Sequence, residues 1–345
     1  MTPGHFEPPN LQTGGVIIRP AFALVATTAF FALAACGGAS EESDEAGAAE
    51  PAAAPEPARV PAGRVEDVAA RPQGIVYDAQ TNLLAVAVRD PDRLLLLDPT
   101  TLDVRRTVPL PGKARHLQLS GPGGPVLVPS ETANEIIEVS LPNGTTRATK
   151  VGRHPHDAAG TTRGDIIVGN EFSGSISVVR DGNVVRTIGD LNQPGSVTTD
   201  GARVAVVDVG DYTVSTYDVR AARRIGRVAA GRGPTHGVLA GDGRLAVADT
   251  RGDQLALYTL EPLARVDTLD LPGSPYGLAG DPETSTVWVT LTGTNELVGV
   301  DTTGASKITD RYPTVRQPNT VAVAPGGRTL WVTGTADGVV QRISR

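Results

Sequence analysis

One cysteine, Cys36, serves all 345 residues. It excludes an intramolecular disulfide and any cysteine-based zinc site. There is no basic excess either, since the formal net charge is −7, which argues against a general nucleic-acid binder and leaves no nucleic-acid partner expected. Only three lysines occur among 31 cationic side chains. No G-x-S-x-G elbow, phosphate loop, H-E-x-x-H or C-x-x-C is present. Gly231-Arg232-Gly233 has its next glycine at Gly237, one residue too far for a dinucleotide fingerprint. No catalytic set emerges from these motifs. Hydrophobic content of 40% is nevertheless ample for a folded core, and 40 glycines with 27 prolines point to a chain of many turns.

The first 63 residues read differently from the rest. Ala21 to Ala35 form a continuous apolar or small-residue run behind Arg19-Pro20. Fifteen residues are fewer than the roughly 20 needed to span a bilayer as a helix, and the length suits a secretory signal. The run ends Leu33-Ala34-Ala35-Cys36-Gly37, which resembles the bacterial lipobox. That resemblance implies a signal peptide over 1–35 and cleavage before Cys36. The cysteine would carry a thioether-linked diacylglycerol and acyl chains of the palmitate kind. It also implies export, with a lipid anchor on the outer side of the cytoplasmic membrane.

Residues 36–63 are expected to form a disordered acidic tether. Ser40 to Pro57 are built from Ala, Glu, Pro, Ser, Asp and Gly, with no large apolar side chain to offset the entropy of ordering. Six acids in this tether account for most of the negative charge. Residues 57–345 hold 31 acidic against 30 basic side chains.

From residue 64 onwards the chain repeats. Short anchor segments recur at Pro72, Ala114, Pro155, Pro194, Pro234, Pro275 and Pro318, spaced by 39 to 43 residues. A period near 40 with four short strands per repeat is the pattern of a propeller blade. Each repeat carries an apolar second strand, such as Leu84-Ala85-Val86 or Val287-Trp288-Val289, suited to burial on both faces. The last repeat supplies only three strands. Gly63 to Ala70 resembles the fourth strand Arg223 to Ala230, so the expectation is an all-β, seven-bladed propeller over 64–345 in which an N-terminal strand closes the last blade. Trp288 and Trp331 are expected in the core between blades.

Val287-Trp288-Val289-Thr290 followed by Thr294-Asn295-Glu296-Leu297-Val298-Gly299-Val300-Asp301 resembles the YVTN β-propeller repeat, and Leu330-Trp331-Val332-Thr333 matches the same signature. The resemblance implies the fold and an envelope or surface-layer setting with an undefined ligand. A few related propellers are lactonases. The register in which those enzymes hold acidic and amide metal ligands contains Asp157 and Asn319 here, with no glutamate.

Four of the five histidines, His116, His154, His156 and His236, fall in the anchor segments, with Arg115, Asp157, Arg232 and Tyr276 beside them. These eight residues are the candidate ligand-binding set at the axial face. Arg71, Lys113, Arg153, Arg232 and Arg316 precede the anchors and would focus positive potential there. An envelope protein or an anionic ligand is the partner this suggests, alongside the membrane. A solvated edge with locally paired charges is the competing reading.

No cofactor is required. A divalent metal would fall to His116, His156 and His236, but His116 and His236 come from nearly opposite blades and His156 is one position out of register, which speaks against convergence. Three functions therefore stand. The first is a lipid-anchored envelope module that binds a ligand or protein through its axial face. The second is a metal-dependent hydrolase or lyase of the lactonase type using the histidines. The third is a purely structural surface protein.

Overall fold

The computed structural model describes residues 47–345. Cys36, the signal segment 1–35 and the first part of the tether lie outside the described residues.

Seven four-stranded antiparallel sheets stand in a ring, and each is one blade. Numbered from Pro72, the first blade runs through strands Pro72–Asp78, Leu83–Val88, Arg93–Leu97 and Val104–Pro109 from the axis outwards. The seventh takes strands Pro318–Val323, Thr329–Gly334 and Val339–Ser344 from the C-terminus and its outermost strand, Arg64–Asp67, from the N-terminal side. The closing pair is antiparallel with Arg64 opposite Arg342 and Asp67 opposite Val339. The propeller, its seven blades and this closure are as the sequence predicts.

The core is divided. Seven apolar clusters occur among the described residues, one between each pair of neighbouring blades. This division explains the near-continuous apolar second strands, which sit between two sheets and show no polar face. Trp288 lies between blades six and seven, and Trp331 lies between seven and one, donating its indole N–H to Pro99 O at 2.8 Å. The fourth strands form the rim, with alternating exposed positions such as Val185 and Val266.

A bulge shapes the channel. In six of the seven inner strands the pairing slips by one residue just after the anchor proline, as between Pro155 and Asp157 and between Pro234 and Gly237. An inserted residue bends the strand and re-aims its side chains. His156 and His236 occupy these bulges. The inner strand of the second blade, Gln118–Leu119, is the short exception, and its anchor segment 113–117 is not a strand.

Residues 47–62 depart from the expected tether. They lie as a strap against the end of the ring where the anchor segments begin. Ala49 and Ala54 are buried. Ala52 N–H donates to Thr292 Oγ1, and Ala54 N–H donates to Gln317 Oε1. Asn295 Nδ2 and Gln317 Nε2 donate back to Pro55 O and Ala52 O. The composition reading missed this because the strap contributes almost no apolar area. Polar side chains of the propeller satisfy its backbone, and its prolines reduce the freedom lost on docking.

The ring closure and the strap separate by truncation. A chain beginning at Ala58 should keep a cooperative melt. One beginning at Ala70 loses the closing strand and should melt lower by roughly 5 °C or more. Differential scanning calorimetry of the two truncations checks this, and equal midpoints would contradict it.

Candidate functional site

The channel is closed at the strap end and open at the other. From the open end a cavity of about 540 Å³ descends along the inner strands. Its walls are apolar, including Val76, Leu119, Val238, Leu278 and Val321, and Asp78 and Gln80 stand at its mouth. Its floor is polar and is built from His116, Gln118, Asp157, Ser196 and His236.

Three histidines meet at this floor. His116 Nε2 lies 3.0 Å from His236 Nε2, and the ring centroids of His116 and His156 are 4.7 Å apart. The argument that opposite blades keep His116 and His236 apart is therefore overturned. The bulges of blades three and five place His156 and His236 at the axis, and the strandless anchor segment of blade two brings His116 to meet them, where the ring is narrow enough for the rings to touch. Tyr276 stands edge-on against His236 at 4.5 Å.

The hydrogen bonds set the tautomers. His236 Nδ1–H donates to Tyr276 O at 3.0 Å, which leaves its Nε2 as an acceptor for His116 Nε2–H. His156 Nδ1–H donates to Gly195 O at 2.6 Å. Burial, reinforced by the neighbouring His236, His156 and Arg115, holds His116 well below the usual histidine range. Burial, with His156 and Arg115 nearby, lowers His236 to about 3. The pair is neutral at pH 7 and offers a hydrogen-bonding surface without charge.

Asp157 is a fastener between blades as well as a floor residue. It accepts hydrogen bonds from Gln118 Nε2 at 2.9 Å, Val197 N at 2.9 Å and Ser196 Oγ at 3.2 Å, which join blades two, three and four. Burial raises its pKa despite these donors.

Between the histidines and the strap lies a layer of ionic residues that the sequence reading missed. Glu131 and Glu171 open short 3₁₀ turns, Glu131–Ala133 and Glu171–Ser173, that follow the second strands of blades two and three. Each turn ends in a left-handed residue, Asn134 or Gly174. Glu131 is only 2% exposed, so its charge requires partners. It contacts Arg115 at 3.3 Å and Arg89 at 3.5 Å, with His154 and His156 each at 3.9 Å.

Glu171 accepts from His154 Nδ1 and Gln193 Nε2, both at 2.8 Å. Burial alone would raise its carboxyl, but His154, His156 and Gln193 outweigh that and hold it at about 2. The signal was present in the sequence: both glutamates fall three residues after the last valine of an apolar second strand, Val128 and Val168. Anchor positions alone could not reveal them, because they reach the axis from the next loop outwards.

Of the predicted set, His116, Asp157 and His236 line the floor, and His156 and Tyr276 pack against His116 and His236 without lining the cavity. Arg115 lies just beyond them on the strap side, where it contacts Glu50 of the strap at 3.5 Å. Burial pushes the Tyr276 hydroxyl up to about 12, against the pull of Arg115. Two residues do not join. His154 takes a positive φ of 53° and turns away to Glu171, stacking on Phe172 at 4.2 Å. Arg232 is exposed on the rim, and only its backbone N–H is engaged, by Asp249.

The cation ring is partly spent on local partners. Arg71 pairs with Asp90, Arg316 pairs with Glu56 of the strap, and Arg153 caps Phe172 O. Among the described residues, no group of three His, Cys, Asp or Glu side chains has the geometry to hold a metal ion.

A seven-bladed β-propeller with an apolar-walled, one-mouthed axial cavity is the class that this fold and site define. No protein-family model and no curated protein matches the chain. Solved structures do match in shape. Hydrazine synthase from Kuenenia stuttgartiensis superposes with a TM-score of 0.69 at 16% identity, over 83% of this chain and 99% of that one. A chain of a mitotic checkpoint complex gives 0.71 at 16% identity, over 85% and 96%. Virginiamycin B lyase from Staphylococcus aureus gives 0.69 at 15% identity, over 82% and 99%. At these identities the likeness shows the fold alone. Enzymes and assembly proteins both stand among the similar structures.

The buried histidines make stability depend on acid. The pKa of His236 is depressed in the folded state, so the unfolded chain binds the extra proton and stability falls as pH drops below about 6.5. Between pH 7 and pH 5 this one group should cost about 2 kcal/mol. Glu171 adds a loss only at lower pH, and Asp157 works in the opposite direction. Urea melts at both pH values should show His236→Gln losing less stability on acidification than the parent chain. Identical losses would contradict the assignment.

Proposed function

We propose that the chain is a lipid-anchored, exported propeller of the YVTN type. It acts as a binding module, taking a small, mainly apolar, uncharged ligand into its axial cavity. The observation that carries this reading is the cavity itself. At about 540 Å³ it lies in the ordinary range of small-molecule sites, with apolar walls and a few convergent polar groups at the floor. Neutral His116 and His236, with Gln118 and Ser196, suit a ligand that presents a carbonyl or hydroxyl to the floor. Asp78 at the mouth, and a lining that holds no lysine or arginine among the described residues, disfavour an anion inside. The anionic ligand suggested by the arginine-bearing anchor segments does not suit this cavity, because those arginines lie at the other end beneath or beside the strap.

Nile red, a neutral solvatochromic dye of suitable size, tests the cavity. Its emission should rise and shift to the blue with the parent chain. Thr198→Trp, which projects into the cavity from the fourth blade, should abolish the change. Glu50→Ala, on the strap side, should leave it intact. Dye binding indifferent to Thr198→Trp would remove the proposal.

A second reading has one observation in its favour. The 3.0 Å approach of two histidine Nε2 atoms resembles the start of a metal site and would suit a hydrolase or lyase. Elemental analysis of the purified chain decides it. A stoichiometric transition metal lost in His116→Ala/His236→Ala would favour the enzyme, and no metal would retire it.

The anchor rests on Cys36 following the apolar run. Cys36→Ser should move the protein from the membrane pellet to the soluble fraction. Unchanged membrane association would refute lipidation.

A further inference from the structure

A second concave site lies away from the axis, at the end of the ring where the channel opens. Between blades three and four, the turns after their inner strands and the outer strands beside them enclose a groove of about 860 Å³. Six arginines line it: Arg163, Arg180, Arg186, Arg203, Arg220 and Arg223. Asp165, Asp218 and Glu261 are the acids in the lining among the described residues. In a propeller whose residues 57–345 are almost neutral overall, this is a concentrated positive surface.

Two of the six are neutralised. Arg180 makes a bidentate pair with Asp165 at 2.6 and 2.8 Å, and Arg203 pairs with Glu261 at 2.7 Å and with Asp200 at 3.4 Å. Arg163, Arg186, Arg220 and Arg223 form no ion pair among the described residues and are exposed. Arg186 is held in place by donating from one guanidinium nitrogen to Arg220 O at 3.0 Å, which leaves its remaining donors for a ligand. The backbone N–H groups of Arg220 and Ala221 both donate to Asp218 Oδ1, fixing the turn that carries Arg220 and Arg223. Four guanidinium groups without an ion pair among the described residues, two on turns and two on outer strands, form an array suited to several oxyanions at once.

The surroundings narrow the ligand. Val185 and Ile225, both exposed, flank the arginines and offer apolar contact between charges. Among the described residues, no aromatic side chain lines the groove on which a base could stack, which disfavours nucleic acid. Its concave form between two blades suits a chain lying lengthwise better than a flat bilayer.

The geometry points to a binding site for an acidic glycan, held by its carboxylate, sulfate or phosphate groups in the groove between blades three and four. This site is independent of the axial cavity. Its positive charge contrasts with the axial cavity, whose lining among the described residues holds acids and no lysine or arginine.

Calorimetric titration of the full chain at low salt tests it, with decagalacturonate as the carboxylate probe and dextran sulfate as the tetrahedral-oxyanion probe. Neutral dextran and single-stranded oligothymidylate are the comparisons. At least one acidic glycan should bind, and its affinity should fall steeply with salt. Arg186→Ala/Arg223→Ala should weaken that binding at least tenfold, while Arg105→Ala on the first blade leaves it unchanged. Which acidic probe binds identifies the oxyanion. No binding of either acidic glycan would overturn the site, as would equal binding by the parent and the double variant. Tighter binding of the oligonucleotide through the same arginines would overturn the glycan assignment.

Discussion

The apolar layer between adjacent blades is the interaction on which the structure depends. No blade can bury both faces alone, so each second strand requires the sheets on either side of it. Seven such layers leave no independent half of the molecule, and they hold only if the ring is shut. The pairing of Arg64–Asp67 with Val339–Ser344 is therefore more than an added strand. It removes the one place where the layers would otherwise end in an exposed edge.

Ring geometry then decides the chemistry at the axis. Inner strands brought together from seven directions leave room for a narrow cavity, and the bulge after each anchor proline determines which side chains enter it. Desolvation at that depth keeps His116 and His236 neutral. Glu131 and Glu171 sit one layer beyond the floor, toward the strap, and face Arg115, Arg89 and His154. The strap covers this ionic layer with Glu50. An apolar-walled cavity floored by neutral histidines is thereby separated from a charged, covered end.

Much of this architecture was legible in the chain. The 39 to 43 residue spacing of the anchors, the apolar second strands and the Val-Ala-Ala echo between residues 68–70 and 228–230 led to seven blades and their closure. They are local patterns, and a repeat fold multiplies each one sevenfold. The site was legible in part, since the anchor histidines were seen as a set. Their meeting was not, because distance across a channel depends on radius and bulge and not on position along the chain. Glu131 and Glu171 were hidden for a related reason, as they approach the axis from loops that the anchor register does not include. The strap eluded composition because its order comes from hydrogen bonds offered by Gln317, Asn295, Thr292 and Arg251, residues more than 190 positions away.

By itself the sequence determined the blade count, the closing strand and the residues of the layers between blades. Periodicity and hydrophobic pattern are properties of neighbouring residues, and they survive without knowledge of the fold. The tertiary structure alone decided that His116 touches His236, that His154 turns away, and that an alanine- and proline-rich segment docks as a strap. It also decided that six arginines from two blades line one groove. Each of these is a contact between distant parts of the chain, set by how far seven sheets must lean to close a ring.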